Sequence, residues 1–446
     1  MSKYFRPWNI DQTLLLPPNV QDFVPKGHVA RIIVELVRES LDLKEITGSY
    51  VSGLGQPPFD PRMMVALLLH GYASGLYSSR RIAKACRERN DFVMIVALDP
   101  PDFRTISDFR KRHLKALGAL FLQVLKLCET AGLVKLGHVA LDGTKIKANA
   151  SKHKAMSYER MKKREAELKA EVACMLAAAE AADAQEDETF GKDKRGDEMP
   201  DWASDKKKRL AKIQEAMAAL EAEAKLAAEE ERRIEAEKEQ QRNAEGRKKP
   251  GKPAAPPSDQ PDPKAQRNFT DPESRIMKSK EGFVQAYNAQ AAVDADAQII
   301  VAHELTQCGS DHGQLVPLVE AIENNLGRKP QQASADSGYC SEPNLEALVA
   351  CGIDGYVAPG RAKHPAAVNG KAGPLTQLMR KKIDDGGFET PYRLRKQVVE
   401  PVFGQIKEAR GFRQFLLRGV EKVRAEWAMI CTTHNLLKLF VLAKAA

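Results

Sequence analysis

The chain has 446 residues, 43% hydrophobic and 29% charged, room for about three domains at ~150 residues each. No apolar run nears the ~18 residues of a membrane span, and the opening MSKYFRPWNIDQ lacks the apolar stretch of a secretory signal. The seven scattered cysteines contain no C-x-x-C pair and support neither a disulfide framework nor a zinc site, which together place the chain in the cytoplasm.

The net charge of +9 is unevenly spread: +7 over residues 1–150, −7 over 151–350 and +9 over 351–446. Basic ends suit a polyanion such as DNA, because each Lys or Arg on a phosphate releases counterions. From charge alone, an ordinary basic soluble protein is an equal reading.

Residues 1–135 read as a helical N-terminal domain, with helices over 29–43, 61–76, 79–90 and 106–131. Thr105 is the expected N-cap of the last. The basic segment with Arg80 and Arg81, after a Gly-containing turn, could lie in a DNA groove; it reads equally as a solvated helix face. Residues 136–149 change to period two, with Thr144, Ile146 and Ala148 alternating with Lys145 and Lys147, so a strand is expected. Residues 150–268 turn to Ala, Glu and Lys and read as a charged helical insertion. Leu210, Ile213, Met217, Leu220, Ala224 and Ala227 form one helical seam, with residues 156–182 as the partner helix. A polar loop is expected over 186–205 and a Pro-rich linker over 246–266. Strands over 284–293 and 298–304 then form a hairpin. A helix over 314–325, a strand over 332–335, a helix over 342–351 and a strand over 355–358 follow. Residues 359–387 read as loop, and helices over 395–410 and 420–442 end the chain. This order is that of a mixed α/β layer fold, with 136–149 and 269–446 forming one domain around the insertion.

Three carboxylates sit where chemistry would use them. Asp142 ends an apolar run before Gly143, and Asp336 ends an expected strand before Ser337-Gly338. Glu400 stands among Val398, Val399, Val402 and Phe403, where burial is costly unless the charge is paired or metal-bound. Each alone is weak, since an Asp after a strand is usually a turn residue and a helical Glu is usually solvated. Converged by one sheet, they supply the hard oxygens that Mg²⁺ takes, and two such ions would suit phosphodiester cleavage. Lys396 and Lys407, four before and seven after Glu400, share its face by helical count. With the nearby Arg393, they suggest contacts to DNA phosphates.

Three segments resemble the acidic motifs of bacterial insertion-sequence transposases of the DDE type: Asp142-Gly143-Thr144-Lys145-Ile146-Lys147, Ala335-Asp336-Ser337-Gly338-Tyr339 and Val399-Glu400-Pro401-Val402-Phe403-Gly404-Gln405-Ile406-Lys407. The resemblance implies a ribonuclease H-like catalytic core with Asp142, Asp336 and Glu400 as catalytic metal ligands. It implies Mg²⁺, with Mn²⁺ as substitute and two ions in all. The partner implied is DNA at terminal inverted repeats and target site, engaged by a homodimer, with the protein on the nucleoid when bound. Lys407 matches the signature of the glutamate helix. Lys396 stands where Arg is usual and Arg393 where Tyr is usual, while Tyr392 and Arg395 keep their mutual spacing one position early. Arg80, Arg81, Lys145, Arg393, Lys396 and Lys407 are the expected DNA contacts. The alternatives are a metal-dependent nuclease without strand transfer and an inactive DNA-binding derivative.

Overall fold

Helices dominate the first third of the chain because its apolar residues recur every three to four positions. They are α1 (Val29–Glu39), α2 (Lys44–Thr47), α3 (Pro61–Ala73), α4 (Ser79–Glu88), α5 (Asn90–Ile95), α6 (Phe103–Arg112) and α7 (Leu114–Thr130). The computed structural model describes residues 18–51, 57–190, 201–244, 256–279, 282–360, 373–386 and 390–445. The expected N-terminal reading and part of the Pro-rich linker lie outside them. Two expectations need correction. The single helix expected over 106–131 is two helices, broken at His113 (φ −109°, ψ 23°), whose ring packs against Phe109 and Tyr50. The cap of α6 is Asp102, not Thr105. The Asp102 carboxylate accepts the N–H groups of Arg104 at 2.6 Å and Thr105 at 2.8 Å.

The sheet begins with β1 (His138–Lys147). Next come β2 (Ala155–Ser157), α8 (Tyr158–Phe190), α9 (Asp201–Ala244), β3 (Gln266–Asn268), β4 (Arg275–Ser279), β5 (Gly282–Asp294) and β6 (Ile300–Thr306). Then α10 (Leu315–Leu326), β7 (Gln332–Ala335), α11 (Glu342–Ala350) and β8 (Asp354–Val357) complete the alternating part. The main sheet runs β6-β5-β1-β7-β8, with β4 pairing the other stretch of β5. Strands β6, β5 and β1 are antiparallel, while β7 and β8 run parallel to β1. Strand β5 is buried from Gln285 to Asp294, as expected of a strand with both faces covered.

The insertion is an antiparallel helical hairpin. Tyr158 meets Glu221, Glu165 meets Gln214 and Glu171 meets Lys206, so chain position rises on α8 as it falls on α9. Its core is Tyr158, Met161 and Leu168 against Ile213, Ala216, Met217 and Leu220. The expected seam holds to Ala224 and then shifts: Ala228 is buried and Ala227 exposed. The loop expected over 186–205 is shorter at both ends, because α8 continues to Phe190 and α9 starts at Asp201; residues 191–200 lie outside the described residues.

The stretch expected as loop over 359–387 contains α12 (Pro374–Asp385), a helix with no fully buried residue, whose Leu375 and Met379 pack partly against the core. Helix α13 (Pro391–Gly404) continues into a π-helical turn, Gln405–Ala409, and α14 (Val420–Ala445) closes the fold. α14 packs against α3, α7 and β6. Trp427 is fully buried and donates its indole N–H to the Gln290 carbonyl at 3.1 Å. The Asn435 side chain accepts from the Ile300 N–H and donates to its carbonyl, each at 2.9 Å. One continuous apolar core therefore joins the N-terminal helices, the sheet and α14, while the hairpin keeps its own. No helix among the described residues is long and apolar enough to cross a membrane.

Candidate active site

Strand register brings Asp142 and Asp336 side by side. β1 and β7 pair in parallel as His138↔Gln332, Val139↔Ala333 and Ala140↔Ser334. Asp142 lies two residues beyond that last pair on β1, and Asp336 two residues beyond it, just past the end of β7. Asp336 follows β7 and caps a short turn, accepting the Gly338 N–H at 2.8 Å. Asp142 lies inside β1, which continues to Lys147 because β5 goes on pairing with it after β7 has stopped. Open ground at the C-terminal ends of parallel strands is where sheets of this kind bind ligands.

A third acid that the sequence did not single out is beside them. Asp311, between β6 and α10, accepts from Asn288 at 2.6 Å and Gln290 at 2.7 Å, and pairs with Lys145 at 3.2 Å. Gly143 makes this possible. A Cβ there would stand 2.2 Å from Gln290 Nε2 and 2.7 Å from Asp311 Oδ1, so the network fills the space a side chain would need. Tyr339 donates its hydroxyl to Gln290 Oε1. Its phenol is pushed well above the usual range by burial and then by Asp311, Asp142 and Asp336. No pattern of hydrophobicity marks Asp311; only its place on the loop between two core elements could have raised it.

Helix α13 lies across β1, β5 and β7. Its buried face is Arg395, Val398, Val399, Val402 and Phe403, at helical spacing. Arg395 Nη1 lies 3.1 Å from Asp142 Oδ2, with the two side chains 8% and 19% exposed. Burial pushes the Asp142 carboxyl up to about 6; Arg395 opposes that rise, and Asp336 and Asp311 add to it. Glu400 and Lys396 are exposed on the same helix, as is Arg393. The burial cost anticipated for Glu400 is therefore not incurred, since the neighbouring valines face inward and the carboxylate faces out. Lys407 does not continue Glu400's face by simple helical count, because the π turn changes the residues per turn. Its ammonium donates to Thr144 Oγ1 and, at 3.0 Å, to the Lys145 carbonyl, tying the end of α13 to β1. Lys145 is turned inward to Asp311. Arg80 and Arg81 are exposed on α4, Arg80 with its guanidinium over the Phe103 ring, while Ile82, Ala83, Ala85 and Cys86 are buried.

The donor set suits a hard divalent cation, with carboxylates on β1 and just past β7. Gly338 lets Asp336 and Asp311 come close to the backbone, since a Cβ there would lie 2.9 Å from Asp336 Oδ1 and 3.4 Å from Asp311 Oδ2. In this arrangement Asp142 is turned to Arg395 and Asp311 to Lys145. Among the described residues no three His, Cys, Asp or Glu side chains are gathered to hold an ion.

Two family models match the chain. Residues 18–112 match the Transposase domain (DUF772), and residues 361–440 match the Transposase DDE domain. Glu400 and Lys407 fall within the second match, and Asp142 and Asp336 lie between the two. The second match implies a ribonuclease H-like core and a divalent-metal chemistry, and both imply DNA as partner. No curated protein and no solved structure matches the chain.

Proposed function

From the premise that this chain is an insertion-sequence transposase of the DDE type, we propose that it binds the terminal inverted repeats of its element, cleaves the DNA at those ends and joins the freed 3′-hydroxyls to target DNA. The observation that carries the reading is the placement of Asp142 on β1 and Asp336 just past β7, beneath the helix that bears Glu400. Asp142, Asp336 and Glu400 would hold the divalent ions, two Mg²⁺ or Mn²⁺. When bound, such ions activate the attacking oxygen and stabilise the leaving one.

The chain's own residues prepare that site. Arg395 supplies a positive charge to Asp142 when no ion is there, so a carboxylate in a largely buried position need not stand alone. Asp311, held by Asn288, Gln290 and Lys145, stiffens the floor beside Gly143 and Gly338. Lys407 anchors the helix end to β1, which fixes where Glu400 emerges. Arg80, Arg81, Arg393 and Lys396, exposed on α4 and α13, would meet DNA phosphates, with the residue 1–135 region as the end-binding part. Residues 136–149 and 269–446 would form the catalytic domain. Two ends must be held together, so the active form is a homodimer on DNA, at the nucleoid.

The test is a cleavage and joining assay on the DNA flanking this gene, with Mg²⁺ or Mn²⁺. Metal-dependent end cleavage and joining, lost in Asp142→Ala, is the expected result. Cleavage without joining would make the protein a nuclease. Specific end binding with no cleavage in either metal would make it a binding protein only.

A further inference from the structure

Residues 150–268 carry 26 Lys and Arg against 26 Asp and Glu, yet the root of the insertion is basic. A cleft of about 740 Å³ opens where α8 and α9 meet the β2–β3 ribbon. Along α8, Arg160, Lys163 and Arg164 face it at three- to four-residue spacing, and Arg209 and Lys212 face it from α9. Lys154 adds a sixth cation from the segment before β2, and Glu167 is the single acid in the lining. Glu167 is already engaged by Arg164 at 2.8 Å. Lys154, Arg160, Lys163, Arg209 and Lys212 are all exposed, and among the described residues no ion pair engages them. The floor is apolar, formed by Met156, Leu168, Ile213 and Phe269. Long cationic side chains over such a floor can rest their stems on it and raise their charges to the rim.

We infer that this cleft is a docking site for the sugar–phosphate backbone of duplex DNA. The inference rests on the transposase reading and deepens it, by giving the insertion a role at the DNA. Charge decides the occupant. Four unpaired cations on two helices, with Lys154 beside them, present a polyanion with a stripe of contacts, and each phosphate engaged releases counterions. The chain order places the site near the chemistry, since His153, at the cleft, follows Asp142 on β1 by eleven residues. Apart from Arg164, these cations carry no load in the hairpin's own packing, which is done by the seam residues.

The test uses the full chain and two labelled duplexes of about 30 base pairs, one from the DNA flanking this gene and one of unrelated sequence. Binding is measured by anisotropy across a salt series. Arg209→Glu/Lys212→Glu alters the cleft; Lys225→Glu/Lys238→Glu alters α9 elsewhere by the same charge. The cleft variant should bind both duplexes at least about fivefold more weakly, with the log–log salt slope reduced by about 2. The matched variant should bind as wild type does. Arg209→Gln/Lys212→Gln should show the same direction with a smaller loss, and unchanged circular dichroism melting excludes misfolding. Unchanged affinity and slope in the cleft variants overturns the inference, as does an equal loss in both reversals. So does a variant that keeps DNA affinity but loses self-association in sedimentation, which would make a second copy of the chain the occupant. Failure of wild type to bind either duplex would instead overturn the transposase reading.

Discussion

The sheet that carries Asp142 and the hairpin inserted after it are held together by different forces. Around the sheet, one apolar core runs from Ala30 in α1 through Val139 and Ala292 to Leu436 in α14, and buried polar groups such as Asn435 and Trp427 stitch it internally. The hairpin has a seam of a few side chains, flanked by partly exposed pairs such as Lys169 with Glu165 and Lys206 with Glu171. Exposed pairs contribute little each, so the hairpin is the weaker structure. The contrast teaches a division: the paired strands that carry Asp142 and lead to Asp336 sit on the deep core, while the basic cleft sits on an appendage with a small core of its own.

The largest expected effect separates the two regions by activity. Asp336→Asn should lower the end-cleavage rate by at least about a thousandfold, through loss of several kcal/mol of charge stabilisation. Met217→Ala, in the hairpin seam, should leave the chemical step within a few fold when measured with saturating DNA. A large loss in the second variant would break the division. Next comes stability. Trp427→Ala should cost about 3–5 kcal/mol of global stability in a denaturant titration. Met217→Ala should instead loosen α8 and α9 locally, seen as faster hydrogen exchange there alone. Equal loss of protection in the sheet would make the two regions one cooperative unit.

A third expectation concerns pH, and here the two regions have opposite signs. Burial holds the Asp142 carboxyl at about 6, above the ~3.9 of an unfolded chain. The folded state binds that proton more tightly, so its stabilisation is present below about pH 4 and lost as pH rises through 6. In EDTA, the stability of Asp142→Asn relative to wild type should therefore shift in the variant's favour by about 1–3 kcal/mol between pH 4 and pH 7. Glu165 is held below its usual range by Lys169 and then Gln214, so its contribution exists above that range and fades as pH falls. Acid should loosen the hairpin while the site gains. The smallest effect is Tyr158→Phe, which removes the 2.5 Å hydrogen bond to Glu221 at the hairpin root. It should cost about 0.5–1.5 kcal/mol, confined to the hairpin, and leave cleavage unchanged.

Much of this architecture is legible in the sequence, and the exceptions have physical causes. Strands β1, β5, β6, β7 and β8 announce themselves because their apolar residues are buried by the sheet itself. Strand β4, with Met277 its only fully buried side chain, and the three-residue β2 and β3 offer no such pattern. The apolar periodicity runs unbroken across His113, so only the backbone reveals the division of α6 from α7. At the site, Asp142 stands out because an acid interrupts an apolar run, and Asp336 because it stands between a strand and a Ser-Gly turn. Arg395 stands one position before the place where the glutamate helix usually carries its Arg. The helical spacing Arg395, Val398, Val402 puts it on the buried face with Asp142, whereas Lys396 is on the exposed one. Asp311 was passed over because its meaning depends on Asn288 and Gln290, more than twenty residues away in sequence.

The central claim is that Asp142, Asp336 and Glu400 form the catalytic set and Asp311 supports them. The most direct measurement is the metal-dependent end-cleavage rate of Asp142→Asn, Asp336→Asn, Glu400→Gln and Asp311→Asn, each as full chain with unchanged DNA affinity. The account predicts that the first three fall to background, while Asp311→Asn retains measurable cleavage at a reduced rate. Full activity in Glu400→Gln, with Asp311→Asn inactive, would contradict it and make Asp311 the third acid.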